Sequence, residues 1–253
     1  MSMKNEANET VKLNYLVTGA NGALGRSIAT HLHNAGHRVL ATSRYPKEGL
    51  YPTSTDLEYL PGVDLMKTEC LSTLKAKCEE FFVGAFHVIN CAGYYEGQQG
   101  FTETTPLELE KIISSNFLSV MNTAHTLLPL QIERSGGHFI VFSCNSVHHN
   151  YPLMIPFTVA KAALESFIKS LSNEYYGQGI VTTAFRLATV NTEHERRMKP
   201  FGDHDHWLDP SRIAEYIFNF TAQPTGIQSG NVIDLFRHSD TYFKTSYFDR
   251  IRR

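Results

Sequence analysis

Residues Leu13 to Ala29 read L-N-Y-L-V-T-G-A-N-G-A-L-G-R-S-I-A. The apolar run Tyr15-Leu16-Val17 stops at Thr18-Gly19, glycines recur at Gly22 and Gly25, and Leu24, Ile28 and Leu32 follow at helical spacing. A buried strand that turns tightly into a helix gives this pattern. Small residues at such a turn let the backbone approach a pyrophosphate, and the first helical N–H groups face its charge with the helix dipole behind them. An ordinary strand-to-helix turn can carry the same glycines. Here a strand precedes them and a helix follows, as a phosphate cradle requires, so nucleotide binding is expected.

Outward from this turn, strands and helices alternate. His37–Thr42, Glu58–Val63, Phe86–Cys91, His138–Ser143, Ile180–Leu187 and Asn231–Leu235 read as further strands. Helices are expected over Thr68–Phe82, from Thr105-Pro106 toward Gln131, over Pro156–Tyr176 and over Asp209–Phe220. No Pro/Gly/Ser-rich linker, repeat or low-complexity segment divides the chain. The expectation is one α/β domain over residues 1–253: a Rossmann-like, doubly wound, seven-stranded and mostly parallel sheet with helices on both faces. Its ligand crevice belongs at the carboxyl ends of the strands.

Composition narrows the function. The chain has 253 residues, 42% hydrophobic and 19% charged, with a formal net charge of −2, so neither nucleic acid nor an anionic membrane finds a basic surface. Cys70, Cys78, Cys91 and Cys144 lack zinc-like spacing and read as reduced thiols. The first residues, M-S-M-K-N-E-A-N-E-T, lack the apolar core of a signal peptide, and no apolar run approaches the ~20 residues of a membrane span. A cytoplasmic protein is expected.

The order of motifs resembles the short-chain dehydrogenase/reductase family over roughly Lys12 to Leu235. T-G-A-N-G-A-L-G (Thr18 to Gly25) is similar to the family's cofactor loop, and Asp64, followed by Leu65, matches its acidic residue beside the adenine. N-C-A-G (Asn90 to Gly93) resembles the strand end that supports that loop and lines the cofactor. Asn116 sits where the family has a catalytic asparagine, F-T-V-A-K (Phe157 to Lys161) resembles the Tyr-x-x-x-Lys box, and Thr192 matches the threonine that holds the nicotinamide amide. The resemblance implies Gly19, Asn21, Gly22, Leu24, Gly25, Asp64, Leu65, Asn90, Ala92, Gly93, Lys161 and Thr192 as cofactor contacts, and Lys161 and Asn116 as catalytic residues.

The sequence also departs from that family. The glycine spacing follows the extended subclass, whereas length and later motifs follow the short one. Phe157 stands at the place of the tyrosine, Cys144 at that of the serine, and Leu187-Ala188 at that of Pro-Gly. In the family mechanism a tyrosine hydroxyl exchanges a proton with the substrate oxygen, lysine lowers its pKa and holds the ribose, serine stabilises the oxygen, and asparagine supports a water relay. A phenyl ring has no proton to give, and a thiol is a weak donor. General acid–base catalysis and an oxyanion donor each contribute ~10²-fold or more. What remains is positioning, which still supplies several kcal/mol.

Three readings follow. In the first, an oxidoreductase uses another donor: Tyr94, Tyr95, Ser143, Ser146, His148, His149, Tyr151 or water, each of which can equally be pocket lining. An activated, quinone-like or vinylogous ketone would need little help. In the second, the chain binds a dinucleotide silently as sensor or scaffold; Lys161 holds the ribose either way, and Asn116 is bonded to local backbone. In the third, Phe157 was introduced to trap a complex, against which Cys144 argues. The atypical enzyme is adopted, with the silent binder as its alternative.

After the second strand, A-T-S-R offers Ser43 and Arg44 and no acid before Glu48, which favours NADP(H) over NAD(H). Arg26 and Lys47 either add charge or face water. The segment Asn191 to Leu208 occupies the family's substrate position. Its His194, His204, His206, Asp203 and Asp205 lack strict metal spacing, so a solvated lid is expected and no metal. Met198, Phe201 and Trp207 are candidates to close over an apolar ligand.

The resemblance implies a homodimer or homotetramer acting on a small-molecule substrate. Phe117, Val120, Leu164, Phe167, Ile168 and Leu171 would supply a helical interface or, equally, the chain's own core. The tail from Phe236 carries Tyr242, Phe243, Tyr247 and Phe248, expected to pack on the body or a partner subunit.

Overall fold

The computed structural model describes residues 11–95, 99–222 and 229–236. The first ten residues and the tail aromatics Tyr242, Phe243, Tyr247 and Phe248 lie outside the described residues.

Seven strands form one sheet: β1 (Asn14–Thr18), β2 (Arg38–Ser43), β3 (Leu57–Pro61), β4 (His87–Asn90), β5 (Gly137–Cys144), β6 (Ile180–Leu187) and β7 (Asn231–Leu235). Their order is β3-β2-β1-β4-β5-β6-β7, and every pairing is parallel. The chain builds outward from β1 in one direction, then crosses to β4 and builds in the other. The gap this reversal leaves at the carboxyl ends of β1 and β4 is where a doubly wound sheet holds its ligand. Thr18 pairs with Asn90 at that edge.

The strands are apolar runs because both faces are covered. Leu16, Leu40, Val88, Phe139 and Val141 pack on one face with Leu71 and Leu74 of α2 (Thr68–Phe81), Leu127 of α4 (Ser119–Glu133), and Leu164 and Ile168 of α6 (Ile155–Glu174). Tyr15, Val17, Val39, Ile89, Ile140 and Phe185 alternate onto the other face. They meet Ile28 and Leu32 of α1 (Ala23–Asn34) and Ile213 and Ile217 of α8 (Pro210–Thr221). Each such side chain stabilises the fold by about 1.5–3 kcal/mol relative to exposure. Four of the six apolar positions considered for a subunit interface, Val120, Leu164, Ile168 and Leu171, are spent in this core. Phe117 and Phe167 are half-buried and meet edge to face at 6.3 Å.

The helix expected from Thr105-Pro106 is a continuous helical run with one irregularity. It starts as α3 (Pro106–Ile113), where Thr105 and Glu108 form a reciprocal capping box and Pro106 takes the first turn. A wide π turn over Ser114–Leu118 then leads into α4. Side chains take up backbone carbonyls here: Ser115 donates to Lys111 O (2.6 Å), Asn116 to Ile112 O (3.0 Å) and Ser119 to Ser115 O (2.9 Å). Two short helices, α5 (Ser146–His149) and α7 (Glu193–Met198), occupy stretches read from sequence as loop and lid. One turn or so of helix is too short to leave a hydrophobic period.

Candidate active site

Gly19 leaves β1 with φ +63°, and a Cβ there would lie 2.6 Å from Ala92 N; a Cβ on Gly25 would lie 2.5 Å from Gly19 O. Both clashes are with backbone, so only glycine lets α1 pack this tightly against the turn. Gly22 caps α1 without any side-chain bond, which leaves the N–H groups of the first turn open to the crevice. The turn is braced by Tyr51, donating to Ala20 O at 2.7 Å, by Asn21, donating to Tyr45 O at 3.0 Å, and by Ala92 N, donating to Thr18 Oγ1 at 3.4 Å. A cradle that a Cβ would fill, beside uncapped amides, fits a pyrophosphate.

On one side of the turn lies a cavity of about 260 Å³ lined by Gly19, Asn21, Gly22, Ser43, Arg44, Asp64, Leu65, Ala92 and Gly93. Ser43 is buried, bonded to Tyr45 O at 2.9 Å and Tyr59 Oη at 2.5 Å. Arg44 is exposed, its guanidinium 4.6 Å over the Tyr45 ring, and Asp64 accepts from Met66 N at 3.0 Å. Asn90, expected at the strand end beside the cofactor, lines neither this cavity nor the next. It is buried within the sheet and donates to Ile140 O at 3.2 Å. Arg26 and Lys47 are exposed outside both.

On the other side the crevice widens into about 590 Å³, reached by Gly19, Gly22, Leu24, Gly25 and Gly93 and walled by Asn116, Cys144, Phe157, Lys161, Thr192 and Trp207. Asn116 is fixed from three directions: its amide donates to Tyr94 O (2.6 Å) and Ile112 O (3.0 Å), and its Oδ1 accepts from Tyr94 N (3.3 Å). Lys161 is buried and donates to Phe142 O at 2.9 Å, with its Nζ 5.3 Å from the Phe157 ring centroid. Desolvation pushes the ammonium down to about 8, against the opposing influence of Cys144 and Cys91. Phe157 in turn packs on Tyr95, ring centroids 4.8 Å apart.

The alternative donors separate. Tyr94, Tyr95, Ser143 and Tyr151 line the cavity. Ser146, the first residue of α5, does not, and its hydroxyl is buried. His148 is exposed, and neither it nor His149 lines the cavity. Ser143 donates its proton to Glu165 at 2.6 Å, so the hydroxyl is committed inward. Burial leaves no solvent-accessible hydroxyl on Tyr95 or Tyr151. Cys144 lines the cavity, its sulfur accepting from Ser146 N at 3.5 Å.

Beneath Ser143 runs a network the sequence reading missed. Glu165 is bidentate to Arg186 (2.8 and 3.0 Å), and Arg186 reaches Asp234 at 2.8 Å. The available signal was Glu165, a charge four residues beyond Lys161 amid apolar helix positions.

The segment 191–208 is held by its own charges. Thr192 caps α7 by accepting from Glu195 N at 3.1 Å, Lys199 pairs with Glu195 at 2.8 Å, and His206 with Asp203 at 2.6 Å. His204 meets Lys199 O at 3.0 Å, and His194 meets Tyr95 O at 3.2 Å. Among the described residues no three potential metal ligands converge. Of the expected apolar closers only Trp207 lines the cavity; Phe201 is 79% exposed, and Met198 lies off the wall.

The profile described as short chain dehydrogenase matches residues 14–201. An uncharacterised oxidoreductase of Staphylococcus aureus is 27% identical over 221 residues, 86% of this chain and 94% of its own. A short chain dehydrogenase of Shigella flexneri complexed with NADP superposes with TM-score 0.79 at 18% identity, covering 90% of this chain and 99% of its own. ElxO carrying a tyrosine-to-phenylalanine change, with NADPH bound, gives 0.78 at 20%, covering 88% and 96%.

Proposed function

The chain belongs to the short-chain dehydrogenase family, and on that premise we propose that it is an NADP(H)-dependent oxidoreductase with a non-standard proton donor. Its substrate is a small molecule bearing a carbonyl or hydroxyl, of aromatic or quinone-like character. The observation that carries this reading is the continuity of one crevice from the glycine turn to Asn116, Phe157 and Lys161. When bound, a nicotinamide dinucleotide supplies or accepts the hydride. The chain's own residues do the rest. The uncapped turn of α1 takes the pyrophosphate, Arg44 takes a 2′-phosphate beside the enclosed Ser43, and Thr192 takes the nicotinamide amide. Asn116 and Lys161 face the reacting atoms, with Phe157 and Cys144 in the places of the usual tyrosine and serine. Tyr94, Met154, Phe157 and Trp207 give the cavity an apolar, aromatic wall suited to a flat ligand.

Lys161 reaching the cavity, and ElxO holding NADPH with phenylalanine for a tyrosine, support dinucleotide binding in the enzyme and in the silent binder alike. The inert ring of Phe157 favours the silent alternative. Exposed Leu118, Met121 and Val159 on the outer helices support a homo-oligomer, and four unpaired thiols support a cytoplasmic setting.

Fluorescence titration with NADPH and NADH, followed by stereospecifically deuterated NADPH with a panel of quinones and ketones, tests the proposal. Transfer of label to product is the expected result. Saturable binding without transfer across the panel leaves the silent binder; no binding of either dinucleotide overturns both.

A further inference from the structure

Resting on the oxidoreductase reading above, we infer that Lys161 is itself the proton donor, its Nζ delivering H⁺ to the substrate oxygen across the space that a tyrosine hydroxyl fills in relatives. In this chain the phenyl ring of Phe157 leaves that space without a polar group, and the ammonium stands 5.3 Å from the ring centroid. Nζ has three protons, and its bond to Phe142 O uses one. Nζ lies on the cavity wall beside Gly93, where a Cβ would touch Nζ at 3.8 Å and crowd Asn116 Oδ1 at 2.9 Å. Of the neighbouring hydroxyls, those of Ser143, Tyr95 and Tyr151 are engaged or enclosed, while Tyr94 shares the cavity wall. Ser143 donates its hydroxyl hydrogen bond to Glu165, and the oxygens of Tyr95 and Tyr151 are buried away from solvent.

The titratable groups facing Nζ are thiols, Cys91 at the end of β4 and Cys144 at the end of β5. Neither is a carboxylate that would fix the ammonium as a permanent cation. Burial therefore decides, and it holds the group down to about 8, close to the working pH at which an acid is most effective. In the reducing direction an N–H bond of Nζ breaks as the O–H bond forms on the substrate. The hydride with its electron pair comes from the reduced nicotinamide dinucleotide, which is oxidised as the carbonyl is reduced. The neutral amine left behind regains its proton from water.

The test uses the full chain with phenanthrenequinone and NADPH, together with a measurement independent of turnover. The first readout is the pH dependence of acylation at Lys161, followed by mass spectrometry in the absence of dinucleotide. A midpoint near 8 is expected, and one above 10 overturns the inference. The second is K161R, which keeps the charge and a hydrogen bond but holds its proton far too tightly to donate. Its kcat should fall about 10²-fold or more while NADPH titration still saturates. The third is K161A, whose activity should recover with added ethylammonium. Wild-type turnover that survives in K161R and K161A, or K161A that binds NADPH yet is not rescued, overturns the lysine and leaves the oxidoreductase standing. Saturable NADPH binding with no turnover by the wild-type chain on any quinone overturns the oxidoreductase and the inference with it.

Discussion

The Tyr95 and Phe157 rings lie 4.8 Å apart between centroids, so the side chain at position 157 is wedged between an aromatic wall and the ammonium of Lys161. A hydroxyl on that ring would add a proton donor beside Nζ without moving the helix. F157Y is expected to raise kcat on simple ketones by about 10²-fold with NADPH affinity unchanged, as read by steady-state kinetics and fluorescence titration. Unchanged kcat would mean that the ring does not border the reacting oxygen.

Gly25 packs against Gly19, and an added methyl would lie 2.5 Å from Gly19 O and 3.0 Å from Gly19 C. The obstacle is backbone, so the turn itself must shift. G25A should weaken NADPH binding by at least ~10-fold, about 1.4 kcal/mol. G22A, whose Cβ meets the same oxygen at 3.3 Å, should cost less. Titration of the two variants side by side checks the order.

Arg44 is the charged group of the smaller cavity best placed for a phosphate, and it lies exposed over Tyr45. A charge-assisted hydrogen bond is worth about 1.5–3 kcal/mol, so R44A should lose roughly 10–100-fold in NADPH affinity while NADH affinity stays put. Equal losses for both would show that Arg44 serves the loop and not a phosphate.

Much of this was legible because it rests on backbone and period. The glycine turn follows from steric necessity, and the strands follow from β-branched and aromatic runs that need cover on both faces. β6 (Ile180–Leu187) and β7 (Asn231–Leu235) match their sequence readings residue for residue. The side-chain network of Ser143, Glu165, Arg186 and Asp234 was not legible, because it joins residues distant in sequence through geometry no local pattern encodes. The setting of Asn90 was not legible for a related reason: the strand carrying it reads clearly, but which way its amide turns depends on the neighbouring Ile140 carbonyl. Ser146 and His148 sit on a turn of helix too short to show a period, and neither lines the cavity.

His87 and His138 sit deep at the other end of the sheet, ring centroids 5.2 Å apart. Burial lowers His138 to about 4, and burial together with the neighbouring histidines lowers His87 to about 3. Both rings are neutral in the folded chain, but an unfolded chain protonates them near the ordinary 6.5. Stability from these groups is therefore complete above that pH and is lost as the pH falls toward 4. At pH 5 the penalty is about 2 kcal/mol for each ring. The urea midpoint should drop between pH 7 and pH 5, and H138L should show roughly half the wild-type drop. An equal drop in both would assign the acid sensitivity to other groups.

The π turn at Ser114–Leu118 gives the long helical run two independent phases, one ahead of Asn116 and one behind it. Point substitutions along the run leave both phases intact. Shortening it by a single residue would swing one half against the other by about 100°, taking either the asparagine out of the crevice or Val120, Ala124 and Leu127 out of the interior. Chain length through this segment is thus as tightly specified as any side chain in it.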